Sequence, residues 1–321
     1  MANIRDIAKM ANVSVTTVSR VLNNHPYVSE EKREAVLQVI KEQNYQQNIH
    51  AVHLSRGKSN LVGVVVPFAK HPYFGLLLEG IANEAIEHDY HLVLIQTNYD
   101  EKKEQEALEM LKYKQIDALI ICSRISAWKV VEEYASFGDI IVCENASDRK
   151  KVQSVYVDHY EGFYQALQYL YEKGHQRIGY CIGRQSGSNS YFRAKAYQDF
   201  LHEKQLPFDE SFVFYENYYL EDGQKVVNQL SYLDLPPTSL LVTSDVVAAG
   251  ILTACQDKGI HVPENLAIVG FDNQPIAKMM KITTFEIPIV EMGRKLFSQV
   301  KKESPIKHKE LDITLVERET V

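Results

Sequence analysis

An unusual run of side chains stands near the start of the sequence: Val13-Ser14-Val15-Thr16-Thr17-Val18-Ser19-Arg20-Val21-Leu22-Asn23. A helix that merely faced solvent would carry Glu and Lys at its polar positions. This one carries hydroxyls, one arginine and β-branched methyls, which suit the edges of base pairs. Val15 can meet a thymine methyl, Thr16 can hydrogen-bond to base edges, and Arg20 can fork onto a guanine. Ser14, Thr17, Ser19 and Asn23 are short donors fitted to phosphate oxygens, which set position rather than sequence preference. The competing reading, a small three-helix cap with a polar outer face, leaves the scarcity of Glu and Lys unexplained.

A second set is scattered through the remainder: Tyr73, Phe74, Ser123, Glu144, Tyr218, Asp245 and Asp272, each just after an apolar run, and Arg193, expected to open a helix. Aromatic faces offer stacking surfaces, while carboxylates and hydroxyls can take the hydroxyls of a polyol. Arginine adds a two-pronged donor for a carboxylate or phosphate. Asp245 has two readings that stand side by side, a ligand contact or the N-cap of the helix after it.

The first set needs short helices to hold it. Ile4, Ile7, Ala8 and Ala11 lie on one helical face. Asn12, a residue that tolerates the left-handed conformation, marks a tight turn, and Ser14 can cap a second helix from Val15 to Leu22. A third helix follows Ser29 to about Gln43, its inner face Val36, Val39 and Ile40, closed by Tyr45. Two short helices across a tight turn, with small Ala8 at the crossing, describe a helix-turn-helix.

The second set needs strand ends. Strands are expected at 61–66, 91–97, 118–122, 140–143, 155–157, 177–182, 212–215, 239–243, 267–270, 284–286 and 311–316. Helices such as 76–88, 102–114, 163–173, 193–203, 246–258 and 290–302 fall between them. This β-α alternation implies parallel sheets covered on both faces, and more than ten strands are too many for one typical sheet. Two similar lobes follow, with ligands bound beyond the carboxyl ends of their strands.

Charge divides the same way. The 321 residues carry a net charge of −7, yet residues 1–58 hold eight Lys/Arg against five acids, leaving 27 basic and 37 acidic residues beyond. A nucleic-acid contact is thereby confined to the head. Cys122, Cys143, Cys181 and Cys255 sit in apolar stretches without a Cys-x-x-Cys and read as buried, reduced thiols. No leader-like start or run of about 20 apolar residues appears, so a soluble, cytoplasmic protein is expected. His50 and His53 share a helical spacing but lack a third ligand, so no metal is expected; nor is any cofactor. Arg56-Gly57-Lys58-Ser59 has Val52 where a phosphate loop needs its first glycine. Gly-x-Gly-x-x-Gly, Gly-x-Ser-x-Gly and His-Glu-x-x-His are all missing, which argues against an enzyme.

The head string closely resembles the DNA-binding head of the LacI/GalR family of bacterial transcription regulators, and the resemblance runs to the end of the chain. Ser154-Val155-Tyr156-Val157-Asp158-His159, Val262-Pro263-Glu264, Val269-Gly270-Phe271-Asp272 and Glu317-Arg318-Glu319-Thr320 match family signatures. The resemblance implies an α/β fold: an all-α helix-turn-helix head plus a two-lobed, periplasmic-binding-protein-like body with parallel sheets. It places the head at 1–46, a hinge helix or linker at 47–59 and an effector-binding, dimerising body at 60–321. The lobes would be about 60–157 with 288–310, and about 158–287 with 311–321.

In the hinge, Asn48, Ala51 and Leu54 fall on the family pattern, Leu54 as the wedge that prises open a minor-groove base step. Gln47 and Val52 depart from it, where the family often has Pro and Arg. Carried over residue by residue, the effector contacts are Tyr73, Phe74, Ser123, Glu144, Arg193, Tyr218, Asp245 and Asp272. Ala196, Ser244 and Asn145 stand where the family usually has Gly, Asn and Arg.

The resemblance therefore implies a repressor that binds pseudo-palindromic operator DNA as a homodimer. A small, sugar-like effector would set its affinity. A dimer rather than a tetramer is expected because no heptad tail follows the last strand. The alternative is the catabolite-control branch, governed by a serine-phosphorylated phosphocarrier protein. That branch shares the look of Asn12-Val13-Ser14-Val15 and the tyrosine-rich body, but Ser298 stands where it uses a basic residue.

Overall fold

A computed structural model describes residues 2–46, 57–300 and 307–321, and the chain divides into two compact units, Met1–Ser59 and Asn60–Val321. In the first, helices α1 (Ile4–Met10), α2 (Val15–Leu22) and α3 (Glu30–Glu42) close on Ile7, Ala8, Val18, Val21 and Val36. Asn3 and Asp6 cap α1 reciprocally, side chain to backbone in both directions. Asn12, at φ +51°, makes the turn into α2.

The larger unit runs β1 (Leu61–Val66), α4 (Pro72–Glu87), β2 (His91–Gln96), α5 (Glu101–Lys112), β3 (Ala118–Ile121), α6 (Trp128–Tyr134), β4 (Asp139–Val142) and β5 (Gln153–Val157). It continues with α7 (His159–Glu172), β6 (Ile178–Cys181), α8 (Ser188–Glu203), β7 (Val213–Phe214), α9 (Asp222–Leu230), β8 (Ser239–Val242), α10 (Asp245–Asp257) and β9 (Ala267–Asp272). Last come α11 (Pro275–Met279), β10 (Thr283–Glu286), α12 (Ile289–Ser298), β11 (His308–Leu311) and β12 (Thr314–Val316).

Two six-stranded sheets result, in the orders β11-β5-β4-β3-β1-β2 and β12-β10-β9-β8-β6-β7. Every pairing is parallel except β12 on β10. Strands buried on both faces need no polar alternation, which is why β3, β5, β6, β8 and β9 are buried along their whole length. The chain passes between the sheets at Asp158, at 287–288 and at 312–313.

The last passage corrects the single strand expected over 311–316. Leu311 pairs with Val157 in the first sheet while Val316 pairs with Thr284 in the second, so the segment must break at Asp312-Ile313. Helix α12 returns to the first lobe and packs against α4, where Gly80 and Gly293 allow backbone contact. A Cβ on Gly80 would lie 2.0 Å from the Val290 carbonyl oxygen, and one on Gly293 would lie 2.2 Å from that of Leu77. All four cysteines are buried and unbonded to one another. No described helix is long and apolar enough to cross a membrane.

Candidate functional site

In the head, Ser14 starts α2 by accepting the Thr17 N–H at 3.1 Å, and its hydroxyl pairs with that of Thr17 at 2.9 Å. With Val18 and Val21 turned inward, helical spacing leaves Ser14, Val15, Thr16, Arg20 and Asn23 exposed and Thr17 and Ser19 half-buried. Asn23 Nδ2 donates to the Ser19 carbonyl at 2.8 Å and closes the last turn. Arg20 is exposed and makes no ion pair among the described residues. Arg33 ties down the loop after α2 by donating to Asn24 Oδ1 and the His25 carbonyl. That loop carries Tyr27, 82% exposed, which sequence reasoning passed over because a lone aromatic in a polar loop has no periodicity. Asn48, Ala51 and Leu54 lie outside the described residues.

In the body, a cavity of about 140 Å³ opens between the lobes. It is lined by Tyr73, Phe74, Ser123 and Glu144 from the first lobe and by Arg193, Tyr218 and Asp272 from the second. Ser123 and Glu144 follow β3 and β4, and Asp272 ends β9, so strand ends do position the cleft. Tyr73 and Phe74 sit in the first turn of α4, which begins at Pro72, earlier than the expected 76. Arg193 does not open its helix. α8 starts at Ser188, and Arg193 lies further along it, facing the cavity.

Asp245 is the correction. Its side chain does not line the cavity, and Ser244 occupies the cap position without a side-chain bond. Asp245 is fully buried as the first residue of α10, accepting from the Gln274 N–H and the Thr284 hydroxyl, each at 2.7 Å. It therefore braces the turn after β9, where Asp272 and Asn273 both hold positive φ (+102° and +52°). Such strain persists only where the surroundings enforce it.

The electrostatics of the cleft centre on two arginines. Arg124 grips Glu144 with Nε–Oε1 at 2.7 Å and Nη2–Oε2 at 3.2 Å, and its guanidinium lies 3.9 Å from the Trp128 ring centroid. Buried Glu104 fixes that loop by accepting the Ile125 and Ser126 N–H groups. Arg193 has no such partner. Its Nη2 donates to His159 Nδ1 at 3.2 Å, and its Nε is buried with no hydrogen bond. Burial, and then Arg193 itself, push His159 well below the usual histidine range, which leaves the ring neutral to accept that bond. Burial, with Asp245 nearby, pushes the Asp272 carboxyl well up, and among the described residues Arg193 makes no ion pair with a carboxylate. An orphaned buried donor costs about 1–3 kcal/mol, which a polar ligand in the cavity would recover.

Contacts across the cleft hold the lobes together. Ser188 Oγ donates to Glu144, and Arg184 Nη1 donates to the Arg124 carbonyl at 3.1 Å. The Arg184 guanidinium lies 4.5 Å from the Tyr99 ring centroid, and Phe68 meets Tyr218 edge-on at 5.7 Å. His71, driven down to about 4 by burial, bonds to the Tyr218 backbone.

Sequence reasoning missed Arg124, Arg184, His71, His159 and Ser188. Reading one residue past Ser123, and three past β6, would have found the two arginines. His159, two residues past β5, and His71, the N-cap of α4, also stand at strand-to-helix junctions.

Comparison with known proteins follows the same division. Residues 3–48 match the family described as bacterial regulatory proteins, lacI family, and residues 59–316 match periplasmic binding proteins and sugar binding domain of LacI family. The chain is 44% identical to the uncharacterized HTH-type transcriptional regulator YkvZ of Bacillus subtilis (strain 168), over all of both chains. It is 34% identical to catabolite control protein B of the same organism, over 96% of this chain and 98% of that one. A LacI family transcriptional regulator from Lactobacillus casei, solved with bound glucose, superposes with a TM-score of 0.73 at 25% identity, covering 81% of this chain and 99% of that one.

Proposed function

This chain belongs to the LacI family of bacterial transcription regulators, which are not enzymes, and we propose that it is a repressor whose operator affinity is set by a sugar or sugar derivative held in the cleft. Two copies of the head, related by a twofold axis, read a pseudo-palindromic site in the major groove. Val15, Thr16 and Arg20 meet base edges, and Ser14, Thr17, Ser19 and Asn23 meet phosphates. Asn48, Ala51 and Leu54 take the minor groove, with Leu54 as the wedge. The effector acts by linkage: a ligand that favours one state of lobe closure shifts the DNA-competent population by its differential affinity, typically ~1–3 kcal/mol.

The observation that carries the effector reading is the buried, unpartnered Nε of Arg193 beside a cavity rich in polar side chains. The glucose bound to the Lactobacillus casei regulator supports a sugar-like ligand. Selecting genomic fragments on the purified protein, then repeating the selection with candidate sugars, tests both halves. A common palindromic sequence should emerge, and one sugar should change its retention. A protein that retains all fragments alike at moderate salt would refute the first half.

A second reading, control by a phosphorylated carrier protein, draws on a surface hollow where Lys295, Lys307 and Lys309 gather beside Ser298. Against it, Lys295 is already paired with Glu291. A pull-down with the carrier in phosphorylated and unphosphorylated form decides it. Phosphate-dependent capture supports this reading, and capture of neither form removes it.

A further inference from the structure

His71 stands where the two lobes meet, and its ring uses both nitrogens. As the N-cap of α4 it accepts the Tyr73 N–H at Nδ1, 3.3 Å away. Pro72, at the start of the helix, has no N–H, so this bond serves the first free donor of α4. The other nitrogen bonds to the backbone of Tyr218 in the second lobe, in the sense that favours a bound proton, so Nε2–H donates to that carbonyl. A place with one donor and one acceptor fits only the neutral imidazole. A second proton, on Nδ1, would face the Tyr73 N–H and cancel the cap.

The surroundings offer that proton nothing. Closure packs the ring between Phe74, edge-on at 5.7 Å, and Tyr219 of the other lobe at 6.1 Å. On its own stretch Lys70 is occupied by the Tyr219 ring at 4.7 Å and by Glu221 at 3.9 Å. Across the cleft Asp222 turns its Oδ2 to the Tyr218 and Tyr219 N–H groups. Arg184 and Tyr99 stack on each other, and Arg193 donates to His159. Of the acids lining the cavity, Glu144 is held by Arg124 and Asp272 by Gln274. Among the described residues no carboxylate pairs with the His71 ring, and burial drives it down to about 4.

We propose that His71 is a proton-controlled latch on lobe closure: the lobes close on the neutral ring, and a proton on Nδ1 holds them apart. Closing therefore expels a proton wherever the open form carries one. The inference rests on lobe closure being the effector's handle, and it makes acid oppose any effector that binds the closed form. An imidazole returned to water titrates near ~6.5, so between that value and about 4 protonation favours the open form. From pH 8 to pH 5.5 the balance should move about tenfold toward open.

Asparagine separates charge from contact. Its amide supplies an acceptor for the Tyr73 N–H and a donor for the Tyr218 carbonyl, yet it does not titrate. Full-length Arg184→Ala protein, loosened across the cleft, is compared with the double variant Arg184→Ala/His71→Asn from pH 8 to pH 5.5. Small-angle scattering and the emission of Trp128, the sole tryptophan, follow closure, while circular dichroism confirms the fold. The first protein should open about tenfold and the second should not. In histidine-labelled protein with Arg184 intact, the His71 resonance, identified by its loss in His71→Asn, should stay neutral at pH 5.5. No pH response, a response that survives His71→Asn and so belongs to another group such as His159, or a charged His71 in protein that still scatters as the closed form overturns the proposal. Neither sugar nor DNA enters the assay, so that failure leaves the effector reading standing.

Discussion

Replacing Arg184 with alanine isolates the force that closes the cleft. Arg184 is half-buried and belongs to the second lobe, yet two of its contacts lie on the first: the Arg124 carbonyl at 3.1 Å and the Tyr99 ring at 4.5 Å. A hydrogen bond from a charged donor contributes about 1.5–3 kcal/mol, and a cation–π contact near the surface about 0.5–1 kcal/mol. Allowing for the water that solvates the opened groups, Arg184→Ala should disfavour closure by about 2–3 kcal/mol, on the order of 30- to 150-fold. A ligand-free population closed about 99 parts in 100 would then be closed roughly 40–77% of the time. Small-angle scattering should show a larger radius of gyration. Trp128 emission should shift as well, because the Arg124 guanidinium that stacks on it is anchored partly through its own carbonyl. Circular dichroism separates this effect from unfolding. A folded variant with unchanged radius and unchanged Trp128 emission would refute the idea that these contacts hold the lobes together.

Three further outcomes are expected. Arg20→Ala should weaken binding at one operator base pair by ~1–3 kcal/mol and relax preference there, read by competition among single-base operator variants; a uniform loss would assign Arg20 to phosphate. Burial pushes the Asp245 carboxyl up to about 7, so the folded state binds this proton more tightly than the unfolded chain, where it titrates near ~3.9. Its contribution to stability is therefore present at low pH and lost as pH rises through 7. Asp245→Asn should raise stability at pH 8 relative to pH 5 in urea denaturation, leaving whatever slope Asp272 supplies. Gly80→Ala sets a helix-propensity gain of up to ~1 kcal/mol against a backbone clash. With a Cβ 2.0 Å from the Val290 carbonyl oxygen the clash wins, costing about 1–3 kcal/mol in thermal or chemical denaturation.

Much of the fold was legible because its signals are local. Val18, Val21 and Leu22 against Thr16 and Arg20 give α2 an inside and an outside before any partner is known. Likewise the apolar run Leu61–Val66 already reads as a strand buried on both faces. Asn12 marked its own turn, since few other residues adopt φ +51° cheaply. The segment 311–316 was misread because apolar patterning does not say which sheet a residue joins; that choice lies with Val157 and Thr284, far away in the chain.

For the site, the sequence by itself determined which side chains follow the strands, and seven of the eight effector candidates do line the cavity. Asp245 was undecidable there, because a carboxylate at the start of a helix serves a cap, a ligand or a neighbouring loop equally well. Tertiary structure turned it toward Gln274 and Thr284. It also decided what no local pattern encodes, namely which polar groups from the two lobes meet. Glu144 is matched by Arg124 and Ser188, Arg193 is left without a carboxylate, and Tyr191 and Phe192 remain uncovered. A residue's type sets the bonds it can form, but burial and distance, which exist only once the chain has folded, settle which of them it makes.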